Sequence, residues 1–348
     1  MNKFIDFYQI VKPKIKKEIL NFNNDIEKEK NSIIKDNIEA FCLLNESGKM
    51  VRGTLAVLGY YFFNDDFTYA LPLACAYEVF ETSILVHDDI IDNDLLRRNQ
   101  KTITAYNNDK YGKFKNNHLA ESIAICMGDY GIHKANDIII NHYGNDKNFS
   151  KLFKTYNDIV IDTIRGELID VITPFEEKHN LFKEDVEKNV MDIYTLKTAW
   201  YSIVGPIILG MILANSKDNM LNEIIDFALP LGIAFQIQDD LLGIYAESQT
   251  IGKKAGNDIR EFKQTLLYAY TKNTSYYKEL LKEYGNENYD LDKVRDIFTQ
   301  CGAKDYCLKK MDELYNESIS KLNNIKWLDD IHKEILLDLI EYLKNREK

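Results

Sequence analysis

Residues 224–245 read IIDFALPLGIAFQIQDDLLGIY. The stretch is apolar nearly all round, the pattern of a helix enclosed by other elements at the centre of a bundle. Yet it ends in two carboxylates, Asp239 and Asp240, with Gln236 one turn earlier. A buried helix fixes the architecture as layers of helices around it, and the acids at its end call for a cationic partner.

A second stretch repeats the design. Residues 83–102, SILVHDDIIDNDLLRRNQKT, place Asp88, Asp89, Asp92 and Asp94 at the end of an apolar run and follow them with Arg97 and Arg98. Residues four apart share a helix face, so Asp88 and Asp92 project together, about 6 Å apart along the axis, and Asp89 lies roughly 100° round. Oxygen ligands without His or Cys favour Mg²⁺ over zinc. Mg²⁺ takes one or two carboxylates and completes its shell with water and substrate phosphates. A pair of aspartates at a helix end therefore fits a diphosphate bridged through metal. The bland alternative is a solvated helix end; it is weakened because a second acidic pair ends another apolar helix, so that the two patches could face each other across a cavity.

The whole chain suits this reading. It has 348 residues and 45% hydrophobic content, with only 16 Gly and 5 Pro, which favours long helices over a sandwich or barrel. The net charge of −11 disfavours nucleic acid as a partner. Five scattered cysteines without a CxxC pair read as free thiols of a reducing, cytoplasmic setting. The first twenty residues lack a signal-peptide core, and no stretch is expected to reach the ~18 apolar residues of a membrane span. Helices are expected over 3–44 with breaks near Pro13 and Asn23, then over 53–63, 69–92, 119–144, 150–171, 184–214 and 219–245. Further helices are expected over 261–284, 291–300, 303–322 and 329–346. The segment 93–118 reads as a loop with a short helix, and 246–258 as a loop. Only short connections intervene, so residues 1–348 read as one all-α domain, an antiparallel helix bundle around a central cavity.

Cations accompany the acids. Lys49 and Arg52 in SGKMVRG stand three apart on one expected helix face; Arg97 and Arg98 follow the first acidic cluster; Lys197, Lys253 and Lys263 lie in YTLKTAW, TIGKKAG and REFKQT. Each alone reads as a surface charge. As a set they suggest two anion sites, one through metal and one by direct contact.

These motifs, GKMVR, DDIID followed by RR, Gly128–Asp129, GELID, KTA, FQIQDDLLG and GK…D…K, stand in the order and spacing of a known family. From about Gly48 to Lys263 the chain resembles the trans-isoprenyl diphosphate synthases, or polyprenyl synthetases. The resemblance implies an isoprenoid synthase fold and a prenyltransferase joining isopentenyl diphosphate to an allylic diphosphate (dimethylallyl, geranyl or farnesyl). It implies more than one Mg²⁺ per active site, held by Asp88, Asp89 and Asp92 and by Asp239 and Asp240. It assigns Arg97, Lys197, Lys253 and Lys263 to the allylic diphosphate, Thr198 and Gln236 to the reacting centre, and Lys49, Arg52 and Arg98 to isopentenyl diphosphate. It also implies a homodimer. The apolar products suggest transient contact with a membrane surface.

The chain departs from the family in three places. Gly243 stands where a third Asp of the second motif is usual. Glu81 replaces a His or Gln near isopentenyl diphosphate and would repel it unless bonded to Lys49 or Arg52, or protonated. GQxxD becomes Gly166–Asp170 with Glu167, which reads either as a group supporting the metal ligands or as a surface acid. His87 reads as a buried, hydrogen-bonded structural histidine, with orientation of a metal ligand as the alternative. Product length is expected to follow the face that runs back from Asp88. Ile84 and Ser83 leave room, Phe80 is the first floor, and geranylgeranyl diphosphate or longer is the expected product. The rival readings are a class I terpene cyclase and a catalytically silent subunit of a heteromeric synthase.

Overall fold

The computed structural model describes residues 2–23, 26, 28–112, 117–179, 181, 185–246 and 255–345. The chain divides into two compact units, one of Asp6–Lys154 with Pro206–Ser216, the other of Asn2–Ile5, Thr155–Gly205 and Lys217–Lys348. Among the described residues each is helical apart from one short hairpin in the first.

The first unit holds most of α1 (Lys3–Asn23), then α2 (Ser32–Glu46), α3 (Val51–Tyr61), a 3₁₀ turn and α4 (Leu71–Ile91). A hairpin of β1 (Leu96–Arg97) and β2 (Gln100–Lys101) leads to α5 (Ile103–Tyr111) and α6 (Asn117–Tyr143). The expected break at Pro13 does not occur. Phe7, Val11, Ile15 and Ile19 form one buried stripe through it, and this burial offsets the missing N–H bond. The hairpin also departs from expectation. Its two-residue loop, Arg98–Asn99, has φ of 54° and 62°, the left-handed pair a tight hairpin needs, and Asn is the usual non-Gly residue there.

Close helix approach in this unit rests on glycines. On α6, a Cβ at Gly128 would lie 2.2 Å from Nε2 of His87 and one at Gly131 2.1 Å from Oγ of Ser83, both on α4. The segment α9 (Gly205–Leu213) packs on α3 in the same way. A Cβ at Gly59 would fall 2.0 Å from the Ile207 carbonyl, and one at Gly210 1.9 Å from the Ala56 carbonyl.

The second unit takes most of α7 (Phe149–Lys178), α8 (Val186–Ile193), a π-helix (Tyr194–Val204) and α10 (Asp218–Tyr245). After these come α11 (Asn257–Arg260), α12 (Leu266–Lys272), α13 (Tyr277–Leu280), α14 (Leu291–Gln300), α15 (Ala303–Asn324) and α16 (Asp330–Lys344). Expected helix 261–284 is two short helices. Phe262 is left-handed (φ 62°), Thr265 caps α12 through the Tyr268 N–H, and Asn273 closes it. Expected helix 184–214 contains the π segment, eleven residues of a winding that is rare and concentrated at functional sites. Its backbone is held closely by two glycines. A Cβ at Gly166 would stand 2.5 Å from the Lys197 nitrogen, and one at Gly232 2.6 Å from Cα of Ala199.

One further expectation is corrected. Three helical stretches, Thr68–Ile91, Val186–Leu213 and Asp218–Tyr245, are long and apolar enough to cross a membrane by length and composition. Scattered polar residues interrupt each apolar run, which is why counting consecutive apolar residues misses them. Their apolar windows are 78%, 83% and 56% buried inside the protein, so protein packing covers most of that surface.

Candidate active site

In the first unit, α4 ends at Ile91, with Asp92 closing its last turn and accepting no further winding because Asn93 is left-handed (φ 53°). The chain then folds back, and the Asp94 N–H donates to the Asp89 carbonyl at 2.9 Å. That reversal aims Arg97 into the acids. Its Nε donates to Oδ1 of Asp89 at 2.7 Å, and its Nη2 meets Asp88 at 3.0 Å and Asp94 at 3.4 Å. Asp89, Asp92 and Asp94 are all buried. His87 lies 3.3 Å from the Ile125 carbonyl and 3.6 Å from the Asp129 carboxylate; it is hydrogen-bonded, but it is only half-buried and not the buried histidine expected from sequence.

The neighbouring arginine turns the other way. Arg98 donates through Nη2 to Oε1 of Glu81 at 2.7 Å, and Nη1 of Arg52 meets the same oxygen at 2.9 Å. A Cβ at Gly48 would lie 3.1 Å from the Arg98 guanidinium, so glycine leaves room for it. Lys49 is exposed. It precedes α3, separated from Arg52 by left-handed Met50 (φ 63°), so the two do not share a helix face as expected. Glu81 bonds to Arg52, as one expectation allowed, and to Arg98. Burial works to raise its carboxyl, but Arg52 and Arg98 reverse this and hold it below the usual range.

In the second unit, Nζ of Lys197 sits 2.7 Å from both Glu167 and Asp170. Glu167 is therefore the lysine's partner. Thr198 donates to Oε1 of Gln236 at 2.6 Å, and Gln236 donates to Oδ1 of Asp240 at 2.7 Å. The hydroxyl of Tyr194 donates to the other Asp240 oxygen and accepts the Leu266 N–H at 2.9 Å. Burial, with the nearby Asp258 charge, pushes Asp240 up to about 7. Asp239 is half-buried. At Gly243 a side chain would begin 3.4 Å from Oδ2 of Asp258, so Asp258 already brings a carboxylate beside the position where the third Asp is missing. Lys263 pairs with Glu261 at 3.6 Å. Lys253 falls outside the described residues.

Sequence reading missed Tyr194, and it placed Asp170 and Asp258 in motifs without giving either a role. Tyr194 carries no sequence signal, because a tyrosine in a helix looks like core. Among the described residues no group of three His, Cys, Asp or Glu is placed to hold a metal ion. Instead, Asp88, Asp89 and Asp94 converge on the Arg97 guanidinium, which shows that the acids accommodate a cation. Mg²⁺ needs only one or two of them, and the donors are hard oxygens throughout. The residues present therefore fit that metal.

The fold is all-α. The sequence pattern of the family described as Polyprenyl synthetase matches residues 32–301, and the chain belongs to that family. Family membership makes the protein a prenyltransferase. It is similar to the short chain isoprenyl diphosphate synthase of Methanocaldococcus jannaschii, 28% identical over 73% of this chain and 72% of the relative. It is also similar to the geranylgeranyl diphosphate synthase of Sulfolobus acidocaldarius, 30% identical over 77% and 80%. Its fold matches the crystal structure of a Corynebacterium glutamicum geranylgeranyl pyrophosphate synthase complexed with isoprenyl diphosphate and magnesium. That match has a TM-score of 0.86 and covers 98% of each chain at 22% identity.

Proposed function

We propose that the protein is an all-trans prenyl diphosphate synthase, performing Mg²⁺-dependent head-to-tail (1′-4) condensation of isopentenyl diphosphate with an allylic diphosphate. One observation carries this reading. Consecutive arginines of the hairpin divide, Arg97 into an acidic cluster and Arg98 into a pocket with Arg52. This division suits two anion sites of different kinds, and a cyclase, which takes a single diphosphate, would have no use for the second. The unbroken match over 32–301 supports treating residues 1–348 as a single catalytic domain.

Asp88, Asp89 and Asp92, with Asp239 and Asp240, would hold Mg²⁺, which supplies neutralising charge to the departing diphosphate. Arg97, Lys197, Lys253 and Lys263 bind the allylic diphosphate and stabilise the charge it gains as its C–O bond breaks. Arg52, Arg98 and Lys49 hold isopentenyl diphosphate so that its double bond attacks the allylic cation. Thr198 and Gln236 face the reacting carbons. The reaction requires exclusion of water, which would quench the cation. The released diphosphate accepts the proton lost in the final step. Incubation with Mg²⁺, labelled isopentenyl diphosphate and each allylic primer should give one all-trans ladder ending at a single length; no elongation with any primer overturns the reading.

The product is geranylgeranyl diphosphate or longer. Ser83 is small and buried, Ile84 is half-buried, and Phe80 is fully buried with its ring edge-on to Tyr77 at 5.8 Å. These two aromatics form the floor for the growing chain. Phe80→Ala should lengthen the product by at least one five-carbon unit; an unchanged product removes Phe80 as the floor.

The working species is a homodimer in the cytoplasm, touching membranes transiently to release its product. Ile161, Ile164, Leu168, Val171 and Phe175 are exposed along α7 at alternating spacings of three and four. This repeat suits packing against another helix, and a second copy supplies it. Leu168→Glu should turn a dimer in light scattering into a monomer; a wild-type monomer refutes the proposal.

A further inference from the structure

Beneath the arginine pocket lies a second acid that the reaction scheme leaves unused. Glu78 and Glu81 stand three apart on α4, so they share a face, and they are 2% and 5% exposed. Oε1 of Glu78 accepts the Gly53 N–H at 2.7 Å. A Cβ at Gly53 would lie 3.1 Å from that oxygen, so the glycine makes this approach possible. Both carboxyl groups lie in one buried cluster, one helical turn apart, and two ionised carboxylates so close repel, so that one of them keeps its proton.

The surroundings decide which acid keeps the proton. Arg52 from α3 and Arg98 from the hairpin both bind Oε1 of Glu81, which keeps its charge. Glu78 faces the Gly53 amide and that charged neighbour. Burial and the Glu81 charge push it up to about 8. Tyr8 on α1 feels the Glu78 charge, and its hydroxyl donates to the Lys49 carbonyl at 2.5 Å. Cys75, one turn back on α4, is raised by burial and by the charges of Glu18 and Glu78. Asn45 of α2 reaches this face through Thr82, accepting its hydroxyl at 2.9 Å. From α6, Gly131 closes against Ser83.

We propose that Glu78 and Glu81 share one proton, and that this proton sets the affinity of the Arg52–Arg98 pocket for the diphosphate of isopentenyl diphosphate. The inference rests on the function proposed above. With the proton in place the pair carries one negative charge against two guanidiniums, leaving positive charge for an anion. Loss of the proton to solvent adds a second carboxylate charge within the same buried cluster, and the arginines are then neutralised from below. Anion binding is therefore present below the pH at which Glu78 ionises and is lost as pH rises through it. The acid at position 81, where the resemblance places a neutral His or Gln, thus becomes compatible with a diphosphate because its neighbour remains neutral.

Calorimetric titration of inorganic diphosphate into the metal-free full-length protein, with a chelator present, isolates this pocket from the metal-dependent one. The anion itself titrates, so the quantity to read is the ratio of wild-type Kd to that of Glu78→Gln, whose amide oxygen can still accept the Gly53 N–H and which cannot ionise. One unit charge in this cluster corresponds to about tenfold in Kd. The ratio should rise from near unity at about pH 6.5 to about ten at about pH 9.5. A ratio that does not change with pH overturns the inference. Should Glu78→Gln fail to fold, Glu81→Gln carries the test. Removing the charged neighbour should move the inflection in Kd to lower pH, and an unmoved inflection overturns the inference. The elongation assay reports separately on the reaction. Elongation with a flat ratio discards the shared proton alone, whereas absence of any metal-free diphosphate binding discards the pocket assignment and the proton together.

Discussion

Asp89→Asn is expected to lower kcat/KM for condensation about 10³-fold at saturating Mg²⁺, the size of effect seen when one preorganised electrostatic group is removed. Asp89 is 2% exposed and holds Arg97. The amide keeps its volume and one acceptor oxygen, and Arg97 retains Asp88 and Asp94. The helix end should therefore persist, and the melting temperature should move by only a few degrees. The loss falls on charge, which a metal-bridged diphosphate requires and an arginine bond can partly do without. Steady-state kinetics with a Mg²⁺ titration, beside thermal melting, separates the two. A loss below about tenfold, with a large fall in Tm, would make Asp89 a structural partner of Arg97 and no metal ligand.

Gly210→Ala should cost about 3 kcal/mol of stability or more, at the upper end of overpacking effects. The added carbon would sit 1.9 Å from the Ala56 carbonyl and 2.7 Å from the Tyr60 nitrogen. Both are helix backbone, and neither can rotate away. Relief requires α9 and α3 to separate, and Gly59, where an added Cβ would fall 2.0 Å from the Ile207 carbonyl, would lose its close approach with them. Helix propensity alone would favour alanine by about 1 kcal/mol, so the sign of the result is diagnostic. Gly112→Ala, where an added carbon meets nothing within 4 Å, is the control. Denaturant unfolding of both variants checks this, and equal stability would mean that the two helices do not approach as described.

The pattern of residues determined a good deal. Apolar runs ending in Asp88–Asp92 and Asp239–Asp240 gave the helical class and both acidic clusters, because periodicity and charge are written locally. The order of GKMVR, DDIID, RR, KTA and FQIQDD gave the family. What lay beyond the sequence was set by contacts distant in the chain. The left-handed Arg98 and Asn99 turn two adjacent arginines to different partners, and nothing in the letters RR separates them. The π winding over Tyr194–Val204 follows from no residue pattern in YTLKTAWYSIV; it is identified by the backbone itself, with Gly166 and Gly232 packed closely against it. Glu81 read as an obstacle to a diphosphate unless it bonded to Lys49 or Arg52 or stayed protonated. Glu78 is its neighbour on the same helix and was legible as such; only the tertiary structure brings Arg52 and Arg98 to one oxygen of Glu81, and in a buried cluster the charge of one side chain is decided by its neighbours in space.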